Sequence, residues 1–165
     1  MSEEATVPGL SVLGSLKERR QQVVNETVLR LPVPRWRDPE LVVVYKPVDH
    51  KYIRAAQDRV SKAPKERRYE AEVDGNADIL IRGCVGVVAV VDGKDYSLKP
   101  GEPHAEPTLF DADLASNLGL DDAATAREVV RSLFIAEGDI ISAAGALTQW
   151  SGYRETEADS TILGE

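Results

Sequence analysis

VGVVAVVDGKDYSL, residues 85–98, is a strand that turns back on itself. Val85 to Val91 is rich in β-branched residues, which fit a pleated surface. It meets Asp92-Gly93, after which KDYSL returns. Asp-Gly is favoured where a two-residue turn needs positive φ, so the spacing predicts an antiparallel hairpin. The question is what this hairpin pairs with, and what covers it.

Upstream, TVLRLPVPRWRDPELVVVYKPV (27–48) supplies two more strands joined by a Pro-rich connection. Prolines 32, 34 and 39 cannot continue a helix and are tolerated at strand ends. The remaining segments have helical spacing. SLKERRQQVVNE (15–26) reads as a charged surface helix with Ser15 as N-cap and Leu16, Arg20 and Val23 on one side. Asp49 is placed to cap a helix carrying Tyr52, Ala56, Arg59 and Val60, ended before Pro64. In KERRYEAEVDGNADILIRGC (65–84) a stripe runs through Tyr69, Val73, Ala77, Leu80, Ile81 and Cys84, with a break expected at Gly75. After the loop KPGEPHAEPT (99–108) come FDADLASNLG, DAATAREVVRSLFIA and DIISAAGALTQWSGY, each with helical period.

The expected fold is α+β and predominantly helical. It has a small antiparallel sheet, made of the N-terminal strands and the hairpin near 85–98, and a C-terminal helical hairpin. Its 165 residues suit one ordinary domain, placed at 15–155, with a flexible leader over 1–14 and an acidic flexible tail over 156–165. No internal repeat is apparent.

Composition narrows the function classes. With 42% hydrophobic and 29% charged residues the chain has soluble globular composition. Its longest apolar run, CVGVVAVV at 84–91, is far short of the ~20 residues that span a bilayer. The acidic start MSEEATVPGL has no basic region followed by a long apolar segment, so no secretory signal is read there. The single cysteine, Cys84, is expected as a small buried hydrophobe in a reducing compartment. Charge is unevenly spread: residues 1–100 hold 17 of the 20 bases and 15 of the 28 acids, a net +2. Residues 101–165 hold 3 bases and 13 acids, a net −10. Such asymmetry marks either a partner of opposite sign or a solvated acidic end.

Most motifs that suggest chemistry fail on inspection. DGNADI (74–79) begins like a calcium loop, but Ile79 stands where Gly is required and Val85 where a bidentate Glu should close the shell. His50 and His104, with no second Cys, do not build a zinc site. GCVG lacks the Lys and Ser/Thr of a phosphate loop, and Ser151 has no nucleophile-elbow pattern around it. Asp111 and Asp113 read as carboxylates at a helix start. An enzyme, a cofactor and a metal are not expected.

Attention therefore moves to SLFIAEGDIISAAGALTQWSGY (132–153). Ala126, Val129, Val130, Leu133 and Phe134 form a continuous helical stripe, with Asp121 and Asp122 as expected caps. Gly138 is the expected break and Asp139 the cap of the next helix, whose face carries Ile140, Ala143, Leu147 and Trp150. A DNA-reading helix needs basic or amide side chains, yet 139–153 offers only Gln149, within the −10 half of the chain. Phe134 and Leu147 are core by period; Trp150 and Tyr153, at the helix end, fit core and partner surface equally.

ADILIRGCVGVVAVVDGK, LFDADLASNLGL and AREVVRSLFIAEGDIISAAGALTQWSGY resemble the body of tail assembly chaperones from long-tailed phages and prophages of actinobacteria. LRLPVPRWRDPELVVVYKPVD is similar to the opening strands of that family, and the likeness covers residues 26–155. The resemblance implies a non-enzymatic helper that coats the tape measure protein and recruits the major tail (tube) protein. It further implies a protein of the host cytoplasm that is absent from the finished particle. Many members have a frameshift-extended form, so association with such a form, or homo-oligomerisation, is open. On this reading the partner-facing residues are Trp150, Tyr153, Phe134, Arg127 and Arg131, with neither nucleic acid nor membrane as partner. The alternative is a small acidic DNA-associated regulator using KAPKERR (62–68).

Overall fold

The computed structural model describes residues 8–99 and 108–152. Helix α1 spans Pro8–Glu26, β1 Leu29–Pro32, β2 Glu40–Tyr45, α2 His50–Lys62 and α3 Arg68–Gly83. Strands β3 (Cys84–Val91) and β4 (Lys94–Ser97) follow, then α4 (Ala112–Asn117), α5 (Ala126–Phe134) and α6 (Glu137–Trp150). This is an α+β fold with one four-stranded antiparallel sheet in the order β1-β2-β3-β4.

The hairpin is as the turn chemistry requires, with Asp92 at φ 51 and Gly93 at φ 76. Strand period then sorts the side chains. Leu31, Val43 and Val87 lie in register, as do Leu41 and Ala89, and this face joins the core. Val42 and Val88 pair on the opposite face. There the two edge strands are linked by a bidentate pair, Arg30 of β1 to Asp95 of β4, at 2.8 and 2.9 Å. That hydrogen bond holds the Asp95 carboxyl below its usual pKa and the Arg30 guanidinium above its own.

On the core face α3 is the central helix, packed against α2, α5 and α6. Val73, Ala77, Ile79 and Leu80 are its buried side. Asp49 caps α2 as expected, accepting from the Lys51 N–H at 2.9 Å. Asp111 likewise caps α4 by accepting from Leu114 N.

Four local expectations are corrected. Helix α3 runs through Gly75 without a break, because its packing against α2 and the core holds it helical; an added Cβ at Gly75 would sit at an ordinary 3.5 Å from the Cβ and the carbonyl oxygen of Ala56. Helix α5 is capped by Thr125, which accepts from Glu128 N, and not by Asp121 or Asp122. The break before α6 falls at Ile135, so Gly138 and Asp139 lie inside its first turn. Finally, α1 begins at Pro8 rather than at Ser15, so residues 8–14 of the expected leader are helical. Residues 1–7 and the expected tail 156–165 lie outside the described residues.

Helix α1 differs from the rest. Every residue from Gly14 to Glu26 is exposed, and none of these thirteen belongs to the core. Among the described residues no other element packs along it.

Candidate partner-binding surface

The C-terminal hairpin is the place to test the expected partner residues. Phe134 is 1% exposed and belongs to the core with Val129, Val130 and Leu133, so it offers nothing to a partner. Its position on the apolar stripe of α5 explains this: the stripe faces α3 and α6.

Arg127 and Arg131 are one turn apart on α5, and Asp74 and Asp78 are one turn apart on α3. The two pairs meet. Arg127 donates to Asp78 at 2.8 and 2.7 Å, Arg131 donates to Asp74 at 3.1 Å, and Arg131 also donates to Glu137. Arg59 of α2 reaches the same Asp78 at 2.9 Å. The hydrogen bond to Asp78 keeps the Arg127 guanidinium above its ordinary pKa. These arginines tie α5 to α3. They also account for the acids of DGNADI, which sit on a helix facing arginines rather than in a metal loop. Among the described residues no group of three or more His, Cys, Asp or Glu is arranged to hold a metal ion. His104 lies outside the described residues.

At the far end of α6, Trp150 is half-buried against the core. Its neighbour Ser151 accepts a hydrogen bond from the Val48 N–H at 3.0 Å, pinning this end of the hairpin to the β2–α2 connection. Tyr153 lies outside the described residues.

The turn end of the hairpin is built differently. Ala136 N donates to the Phe134 carbonyl across Ile135, whose φ is 58 and ψ −53. That is a γ-turn of the rare kind with positive φ at its centre, a strained geometry for a β-branched residue. Ile135 is nevertheless 62% exposed. The β1–β2 loop braces the turn: Trp36 Nε1 donates to the Leu133 carbonyl at 2.7 Å, and Arg35 Nε donates to Asp139 Oδ2 at 2.9 Å. Arg35 itself has φ 76. Two non-glycine residues at positive φ are thus linked to one corner, which carries a projecting apolar side chain. Residues held in such conformations persist where the surroundings over-determine them, and they concentrate at functional sites.

Sequence reasoning missed this corner. Its one visible signal was PRWR (34–37), a Trp between two arginines in a loop. Comparison with protein-family models, with curated proteins and with solved structures finds no match for this chain. Among the described residues no helix is long and apolar enough to cross a membrane.

Proposed function

We propose that this chain is a non-enzymatic tail assembly chaperone, which binds and shields the tape measure protein and helps to recruit tail tube subunits in the host cytoplasm. The reading rests on the resemblance described above. The observation that carries the binding face is Ile135: a large apolar side chain, 62% exposed, held by a braced and strained turn at the head of the α5–α6 hairpin. A tape measure protein is expected to be a long helical chain whose apolar stripes aggregate when uncovered. An acidic helper with a net charge of −8 and a rigid apolar anchor suits the task of covering such a chain and keeping it in solution.

The test is co-expression with a fragment of the tape measure protein from the same phage. The chaperone reading expects the fragment to move from the insoluble to the soluble fraction and to co-purify with this chain. A fragment that is equally insoluble with and without the chain contradicts it.

The DNA-associated alternative keeps one point in its favour. Lys62, Lys65, Arg67 and Arg68, around the short 3-10 turn between α2 and α3, are all exposed. An electrophoretic shift of duplex DNA at moderate salt, lost on raising the salt, is what that reading expects.

A further inference from the structure

Among the described residues, helix α1 has no other element packed along it. It presents Leu16 at 60% exposure, Val23 at 57% and Val24 at 48%. Leu16 and Val23 are seven residues apart, so they share one face. Most helical stability in proteins comes from burying an apolar face against a neighbour. What buries this one is indicated by charge. The face is flanked by Lys17, Arg19 and Arg20, all exposed. The last 65 residues, 101–165, are net −10. Within it, residues 109–122 combine exposed Asp113, Asp121 and Asp122 with Leu109, which is 46% exposed, and half-buried Leu118 and Leu120. Residues 14–26 carry three bases against Glu18 and Glu26, whereas 109–122 carry four acids and no base. Among the described residues α1 and α4 do not pack along each other.

We propose that α1 docks on the 109–122 corner of a second copy of this chain. The two surfaces differ, so the contact is head-to-tail: each copy gives its α1 to one neighbour and receives α1 from another. Repetition of such a contact makes closed rings or open filaments rather than a two-fold dimer. The proposal stands apart from the tape measure reading, because it concerns a different surface and needs no other protein.

The test uses the full chain and two variants, with mass measured by light scattering on a sizing column. Leu16→Glu/Val23→Glu removes the donor face, and Asp113→Lys/Asp121→Lys/Asp122→Lys removes the acceptor. Both sets lie on exposed or non-core positions, and circular dichroism melts check that each variant retains its fold. The wild type is expected to assemble beyond a dimer with rising concentration and to dissociate with rising salt, since the flanking charges are screened. Each variant alone is expected to be monomeric. Mixed, they should form a 1:1 heterodimer and nothing larger, because only one intact donor and one intact acceptor remain between them. A wild type that stays monomeric at high micromolar concentration overturns the proposal. So does an acceptor variant that still self-associates, which would mean that α1 pairs with α1.

Discussion

The indole N–H of Trp36 donates to the main-chain carbonyl of Leu133 at 2.7 Å, joining two segments 97 residues apart. Leu133 is one residue before the last of α5, so its carbonyl has no later turn of its own helix to bond. Trp36→Phe keeps most of the ring and deletes the donor. We expect a loss of about 1–3 kcal/mol in chemical denaturation, the cost of an unsatisfied, partly buried acceptor. An unchanged midpoint would mean that the loop does not brace the turn.

Gly75 and Gly83 lie on the same helix and should respond in opposite ways. An added Cβ at Gly75 finds ordinary contact distances of 3.5 Å, so Gly75→Ala is expected to stabilise by roughly 0.5–1 kcal/mol through helix propensity. At Gly83 the Cβ would meet Leu147 Cδ2 at 2.9 Å, Val48 Cγ2 at 3.0 Å and the Lys46 carbonyl at 3.2 Å. Gly83→Ala should then destabilise by about 1–3 kcal/mol through overpacking, read by thermal melts of the two variants.

Arg127→Gln and Arg131→Gln test the reassignment of two expected partner residues. Their side chains are 45% and 32% exposed, so each loss should cost no more than about 1 kcal/mol. Capture of a tape measure fragment should be unaffected. Weakened capture with unchanged stability would return these arginines to the partner surface.

Burial pushes the Cys84 thiol up to about 12 from its ordinary 9.0, and the nearby charge of Asp111 adds to this. Below the ordinary value both folded and unfolded chains hold the proton, and the contribution to stability is fully present. As pH rises from about 9 toward 12 the unfolded chain loses its proton first, so stability falls. Burial also raises Tyr45, which adds a decline of the same sign above its ordinary 10.0. Denaturation midpoints should drop over this range, and less steeply in Cys84→Ala. At neutral pH iodoacetamide should modify Cys84 slowly in the folded chain and quickly in denaturant. Equal rates would show a thiol open to solvent.

What was legible in the sequence was local. Asp92-Gly93 names its own turn, and Asp49 and Asp111 cap helices with donors two or three residues away. What was misread depends on contacts between distant segments. Gly75 weakens a helix in isolation, but here the packing of α3 against α2, α5 and α6 carries it through. Gly138 offered a cheaper break than Ile135, and Trp36 and Arg35, brought in from the β1–β2 loop, brace the costlier one. Phe134 carried the right period for core, and its burial follows. The arginines of α5 looked free because their acidic partners sit on α3, some fifty residues earlier.

Ile135→Gly gives the most direct measurement of whether the braced turn is a binding face. Glycine accepts positive φ, so relief of about 1–3 kcal/mol of strain should outweigh the ~0.4–1 kcal/mol of added freedom in the unfolded chain. The same change removes the anchor, and loss of a true hot spot costs roughly 2 kcal/mol or more of binding. We expect a variant that melts no lower than the wild type and captures a co-expressed tape measure fragment at least tenfold less well, the equivalent of about 1.4 kcal/mol. A variant that is equally stable and captures the fragment at full strength would contradict the assignment of this corner as the partner surface.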